Sequence, residues 1–289
     1  MSIARAAALW GPAFTRQQLL AVGISSDEII AAVRHGQLHR VRKGRYVLPT
    51  APPEVVLAVT LGGALAGPSA ARTYKIWSGF DLRTHVSVRP NASRFGEAAR
   101  AVVHWDGKVL RRECWRVDVG DCIRQIVRWS DPETGLAAVE TALEKRLITP
   151  SRLQLLFAGE NAAARLLVSA ARPGCGSGTE SIVSRRLRAL NIEVRRQVRI
   201  EGVGDVDMVV VGTRVVIEVD GRSYHEDPVA FENDRRRDAE LVRRGFVVVR
   251  LSYDAVVNRW PWCEQMVLGA LAAHGDLPPQ LRSQRDSWG

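Results

Sequence analysis

The chain has 289 residues with 41 basic and 31 acidic side chains, giving a formal net charge of +10 and an isoelectric point near 10.2. Hydrophobic residues make up 46% of the chain, which is enough for buried cores, and the length of 289 residues predicts two or more domains. No apolar run reaches the length of a membrane span, and the N-terminus lacks the residue order of a signal peptide, which argues against membrane and secreted classes.

The basic surplus is unevenly distributed along the chain. Residues 1–171 carry 23 basic and 14 acidic side chains, whereas residues 172–289 carry 18 and 17. This asymmetry favours a basic part that holds nucleic acid, joined to a part that holds carboxylates. A generic basic protein is the alternative. The four cysteines lack metal-binding spacing and are expected to be free thiols in the cytoplasm.

Residues 1–50 are predicted to form a winged helix-turn-helix domain. Two capping boxes, each a hydroxyl residue with a Gln or Glu three positions later, start its helices: Thr15 with Gln18, and Ser25 with Glu28. Two short strands, 38–41 and 45–48, follow with a Lys-Gly turn between them. Basic residues at the end of the second helix and on this hairpin suit contacts to DNA phosphates: Arg34, His35, Arg40, Arg42, Lys43 and Arg45. A small module that binds protein is the alternative.

This segment resembles the N-terminal domain of AbiEi-type antitoxins, the autoregulating partners of type IV toxin–antitoxin systems. The residues that carry the resemblance are Phe14-Thr15, Gln18-Leu19, Gly23-Ile24, Gly36-Gln37-Leu38 and Gly44-Arg45-Tyr46-Val47, with Pro68-Ser69-Ala70-Ala71 further along. The resemblance implies DNA as a partner, and a toxin or another defence-locus protein as a possible second partner.

Residues 51–172 form an α+β middle region to which the sequence assigns no chemistry. Helices are predicted at 54–66, 69–78, 133–147, 151–158 and 161–171, with strands at 85–88 and 101–105. His85 and His104 lie on these strands and are interpreted as structural, because lone histidines in strands rarely form sites. The region is expected to link, orient or bind a partner.

A Gly-rich segment after Pro173 begins a third domain, residues 173–289. Its elements are predicted in the order α-β-β-β-α-β-α: a helix at 180–190, strands at 193–200, 205–211 and 214–220, a helix at 228–244, a strand at 246–251 and a helix at 253–273. The helix between the last two strands requires a crossover, so the sheet is expected to be mixed. The fold class is therefore α/β, as an α+β multidomain chain.

Acidic residues stand on two adjacent apolar strands of this domain. Glu218 and Asp220 point to the same face because strand side chains alternate, and Asp207 lies on the preceding strand. Carboxylates gathered in a Val-rich setting cost free energy unless something neutralises them. Oxygen ligands suit Mg²⁺ or Mn²⁺. Asp205 shares the face of Asp207 and is its competitor for the inward position.

The third domain resembles the PD-(D/E)XK nuclease fold, and more narrowly the DUF559 group, whose relatives include the very short patch repair endonucleases. The residues that carry the resemblance are Glu180, Gln197, Asp207, Glu218-Val219-Asp220-Gly221, Tyr224-His225, Asp234, Arg237-Asp238, Leu241, Gly245 and Val249-Arg250. The resemblance implies a Mg²⁺-dependent DNA endonuclease with a restriction-endonuclease-like mixed-sheet core. It also implies that Arg237 and Arg250 touch the site or its acidic residues.

The resemblance implies metal ligation by Asp207, Glu218 and Glu180. Asp220 stands where the fold usually has Lys, so its task would pass to a metal ion or to His225, which can exchange a proton near neutral pH. All five are candidate catalytic residues. A non-catalytic DNA-binding regulator or antitoxin, and an interaction protein in a phage-defence locus, are the alternative functions.

Overall fold

The computed structural model describes residues 2–92, 100–106, 113–220 and 228–274, with the backbone alone at 228–234. It divides into two compact units. The first unit comprises Met1–Ala138 and Lys145–Ser169, and the second comprises Val139–Glu144 and Ala170–Gly289. None of the helices in the described part of the chain combines the length and the hydropathy that crossing a bilayer requires.

The first unit begins with three helices and a small sheet. Its opening elements are α1 (Ile3–Trp10), β1 (Ala13–Thr15), α2 (Arg16–Ala21), α3 (Ser26–Arg34), β2 (His39–Arg42) and β3 (Arg45–Val47). Both predicted capping boxes are confirmed, at Thr15 and at Ser25. The strands pair antiparallel in the order β1-β3-β2 around a core that includes Phe14, Leu19 and Leu38.

The rest of the first unit surrounds a second three-stranded sheet. Its elements are α4 (Pro53–Thr60), β4 (Ala64–Leu65), α5 (Gly67–Tyr74), β5 (His85–Val88), β6 (Val102–Trp105), α6 (Val119–Trp129), α7 (Pro132–Glu144), α8 (Pro150–Phe157) and α9 (Ala162–Ala170). β4 pairs antiparallel with β5, and β5 pairs parallel with β6. The C-terminal end of α7 and the last residue of α9 belong to the second unit.

The prediction of one helix over 54–66 was wrong, because α4 ends at Thr60 and a strand follows. Gly62 has φ +75°. A Cβ at Gly63 would lie 2.5 Å from Val86 Cγ1 and 2.6 Å from the Ser87 carbonyl oxygen, so the glycine pair lets the chain turn and approach β5 closely. The sequence analysis also missed α1, β1 and α6.

The second unit is built on one four-stranded mixed sheet. Its elements are α10 (Gly178–Ala189), β7 (Val194–Ile200), β8 (Gly204–Val210), β9 (Val215–Asp220), α11 (Pro228–Arg243), β10 (Val247–Ser252), α12 (Tyr253–Asn258) and α13 (Trp260–Ala273). The order is β10-β9-β8-β7, with β10 parallel to β9 and the other pairs antiparallel. The predicted crossover and mixed sheet are confirmed. The predicted last helix is broken at Arg259, beside Pro261.

Candidate nuclease site

The carboxylates of the second unit lie next to the last paired positions of β8 and β9. β8 pairs with β9 at Met208 with Ile217 and at Val209 with Val216. β9 continues beyond these paired positions to Asp220. Beyond them, Asp207 Oδ2 accepts a hydrogen bond from the backbone N–H of Val219 at 2.8 Å. A side chain thus satisfies a donor that a strand partner would otherwise satisfy, and the Asp207 carboxylate is fixed between the two strands.

Glu180 reaches the same place from the first turn of α10. Ser177 Oγ accepts a hydrogen bond from the Glu180 N–H at 3.2 Å as the helix cap, and the Gly176 N–H donates to Glu180 Oε2 at 2.9 Å. The residue is only 5% exposed. Burial, and then the charge of Asp207, raise the pKa of the Glu180 carboxyl above its usual value.

Gln197 joins Glu180 to Asp207. Its Nε2 donates to Glu180 Oε2 at 2.9 Å and to Asp207 Oδ1 at 3.4 Å. Gln197 lies within β7 but has φ +48°, a left-handed conformation that costs a side-chain-bearing residue roughly 1–2 kcal/mol. Such strain is found where the surrounding structure holds a residue in place, often at functional sites.

Glu218 carries the strongest electrostatic perturbation of the three carboxylates. Burial, and then the charge of Asp207, raise the pKa of Glu218 to about 7, while Arg237 acts in the opposite direction. Arg237 Nη2 lies 2.9 Å from Glu218 Oε1 and also donates to the Asp205 carbonyl oxygen. Carboxyl groups whose pKa is raised in this way are typical of sites that hold a cation or exchange protons.

The remaining predicted residues divide between the edge of this cluster and the surface. Asp220 lies at the end of β9 near Arg250, whose guanidinium is paired with Asp238 at 2.6 Å. Asp205 is exposed and pairs with Arg199 at 3.4 Å, so Asp207 and not Asp205 lies beside Glu180 and Glu218. His225 lies outside the described residues. The expected contact of Arg237 with an acidic residue of the site is confirmed, whereas Arg250 pairs with Asp238, which is not one of the candidate site residues.

The donor chemistry of this cluster fits a hard divalent cation. Glu180, Asp207 and Glu218 offer carboxylate oxygens, which Mg²⁺ and Mn²⁺ prefer. Yet no group of three or more His, Cys, Asp or Glu side chains closes on one point anywhere in the described ranges. The Gln197 amide instead donates to Glu180 and Asp207, and the Arg237 guanidinium donates to Glu218.

The sequence analysis gave Gln197 no role, although its resemblance pattern included the residue. Nothing in the alternation of β7 marks Gln197, because its side chain is exposed like those of the neighbouring odd-numbered positions. Its left-handed backbone and its two carboxylate partners appear only in the folded chain.

The predicted DNA-contacting residues lie in the first unit. Arg34 ends α3, and Arg40 lies on β2; both are exposed. Arg42, Lys43 and Arg45 line one cleft of about 450 Å³ at the β2–β3 hairpin. The structure thus brings three of the six predicted residues together.

His85 and His104, which the sequence analysis interpreted as structural, form a stacked pair. Asp81 Oδ2 lies 3.1 Å from His85 Nε2, and His85 Nδ1 lies 3.0 Å from His104 Nε2. His104 also stacks on Trp129 with ring centroids 3.7 Å apart. Burial lowers the pKa of His104 to about 4, so His104 is neutral at physiological pH.

Comparison with known proteins locates a nuclease-type domain in the second unit. The homing endonuclease I-Bth0305I catalytic domain is 22% identical over 33% of this chain and 95% of its own, with a TM-score of 0.29, which is too low to establish a common fold. No curated protein matches the chain. Residues 180–267, which include Glu180, Asp207 and Glu218, match the family model REase_MTES_1575, and this part of the second unit is therefore similar to restriction-endonuclease-like domains, which supports a nuclease domain here.

Proposed function

We propose that the protein is a cytoplasmic, Mg²⁺-dependent DNA endonuclease of the DUF559 type, acting in phage defence or DNA repair. The observation that carries the proposal is that the Asp207 carboxylate lies beside both Glu180 and Glu218, within a segment that matches a restriction-endonuclease-like family. The proposed domain division is 1–50, 51–172 and 173–289, the first being a winged helix-turn-helix that binds DNA.

Glu180, Asp207 and Glu218 would hold the ion, and the Gln197 and Arg237 donors would give way to it. When bound, the cation supplies charge stabilisation at the phosphodiester and makes the attacking water more acidic. The protein groups then have separate tasks. The backbone N–H of Val219 keeps the Asp207 carboxylate in place, and the Gly176 N–H does the same for Glu180. Asp220 or His225 would accept the proton of the water.

Two substitutions on neighbouring strands test this proposal. Asp207→Ala and Glu218→Gln are expected to reduce nicking of supercoiled plasmid to the level of an EDTA control, because each removes a charged carboxylate from the proposed metal site. Asp205→Ala is the matched control: it removes an exposed carboxylate two residues away on the same strand and should leave cleavage unchanged. Titration calorimetry with Mn²⁺ provides the second readout, in which only the first two variants lose affinity.

A second candidate function is a non-catalytic, AbiEi-like transcriptional regulator or antitoxin that binds a toxin. Two observations favour it: Asp220 stands where the fold usually has Lys, and Arg237 forms an ion pair with Glu218, one of the carboxylates that would hold the metal ion. This candidate predicts DNA binding without cleavage of supercoiled, linear or mismatched DNA in Mg²⁺ or Mn²⁺. Cleavage by the wild-type protein that is lost in Asp207→Ala would rule it out.

A further inference from the structure

The cleft at the β2–β3 hairpin contains a cation from the middle region as well as from the hairpin. Its basic lining residues are Arg42, Lys43 and Arg45 from the hairpin and Arg89 from the segment after β5, accompanied by Asn91. No acidic side chain lines it among the described residues. Arg89 had no place in the sequence-based prediction, which assigned its region no chemistry.

The position of Arg42 in this cleft is set by its neighbours. Its Nη1 donates to the Thr60 carbonyl oxygen at 3.2 Å. A Cβ at Gly62 would lie 2.7 Å from that same nitrogen, so the absence of a side chain there gives the guanidinium room against the end of α4. An exposed arginine held in this way presents its remaining donors in a limited set of directions. This suits contact between the planar guanidinium and a phosphate group.

The charge of the cleft is not balanced within the part of the chain that the structure describes. None of the ion pairs found there involves Arg42, Lys43, Arg45 or Arg89. Four cations that share one concave surface repel each other and raise the local concentration of anions. A partner with closely and regularly spaced negative charges matches such a surface better than an isolated small anion, and duplex DNA carries one charge per about 1.7 Å of axis.

We infer that Arg89 extends the DNA-binding surface from the hairpin into the middle region, and that the cleft between them holds a stretch of the phosphate backbone of duplex DNA. The inference deepens the proposed DNA binding of the first unit and rests on it, but it is independent of the nuclease site. Contacts of this kind fix the position of DNA without reading its sequence. Arg89 is thus a positioning residue for DNA.

The test is binding of a fluorescently labelled mixed-sequence duplex to the full-length protein in EDTA, over a series of salt concentrations. Each phosphate contact contributes about 0.9 to the slope of log K against log salt. Arg89→Ala should therefore flatten the slope by about 0.9 and weaken binding about eightfold at about 0.1 M salt. Arg89→Lys should retain most of the slope.

Arg152→Ala is the matched control, since it removes an exposed arginine of the same unit that does not line this cleft. Thermal melting checks that both alanine variants are folded. An Arg89→Ala protein with the wild-type slope would overturn the inference, as would equal effects of the two alanine substitutions. Preferential binding of double-stranded RNA through Arg89 would overturn the assignment to DNA. Cleavage in Mg²⁺ is measured separately, so the effect of Arg89→Ala on DNA binding can be interpreted even if the protein does not cleave DNA.

Discussion

The stability of the nuclease-type unit is expected to depend on Glu140, which the sequence places outside that domain. Glu140 lies on α7, and its side chain is 2% exposed. Its Oε2 lies 3.1 Å from Arg196 Nη1 on β7 and accepts a hydrogen bond from Ser181 Oγ at 2.6 Å. The Arg172 N–H donates to the other carboxylate oxygen at 2.8 Å. Glu140 therefore joins α7, α10 and β7.

The cost of removing this carboxylate follows from what it leaves behind. Glu140→Ala strands the charge of Arg196, whose side chain is 10% exposed, and breaking a buried pair from one side costs about 3–5 kcal/mol. Arg196 Nε keeps its hydrogen bond to Ser184 Oγ at 3.0 Å, which places the expected loss near the lower end, at about 3 kcal/mol. Glu140→Gln keeps an acceptor for Ser181 and should cost about half as much, roughly 1.5 kcal/mol.

The assay has two parts: urea unfolding of the full-length protein, and hydrogen exchange in peptides that cover β7 and α10. Exchange in these peptides reports on the second unit separately. Glu144→Ala is the control. Glu144 is exposed on the same helix and accepts one hydrogen bond from the Gly174 N–H, so its loss should cost about 0.5 kcal/mol. The reasoning is refuted if the amides of β7 are as well protected from exchange in the Glu140→Ala protein as in the Glu144→Ala protein.

Three further outcomes are expected. A fragment of residues 173–289 should unfold more readily in urea than a fragment of residues 132–289, since only the longer one contains Glu140; equal midpoints would contradict this. At Gln197, the Gly variant should be about 1 kcal/mol more stable than the Ala variant in urea unfolding, because φ is +48° there, and the reverse order would exclude backbone strain. Stability should fall as pH drops from about 6.5 toward 4, because the folded pKa of His104 is lowered and protonation favours the unfolded chain. The full shift corresponds to about 3 kcal/mol, which partial exposure reduces to roughly 1–2; His104→Phe should flatten the profile, and an unchanged profile would exclude His104 as its source.

Most elements of both units could be predicted because the signals that start and stop them are local. Ser25 and Glu28 are three residues apart, and their capping box needs nothing from the rest of the chain. The missed helix α6 had a signal too, since Cys122, Ile123 and Ile126 recur at helical spacing and are all buried. In contrast, α1 has no side-chain cap, and β4 is a two-residue strand that is defined by its pairing with β5.

The candidate site likewise contains features that a local sequence pattern predicted and features that it did not. Alternation along β9 predicted that Glu218 and Asp220 share a face, and the crossover helix predicted a mixed sheet. The strain at Gln197 and the pairing of Arg237 with Glu218 had no local signal, because the partners lie on different elements.

The sequence by itself determined the alternation of the strands, the starts of the helices and the types of residue available for chemistry. These depend on contacts between residues a few positions apart. Only the tertiary structure decided that Gln197 joins Glu180 to Asp207, that Glu140 pairs with Arg196 at a separation of 56 residues, and that Arg89 lies in the cleft of the hairpin. Such contacts form when separate elements pack, and the charge and burial that give a carboxylate or an arginine its chemistry arise from that packing.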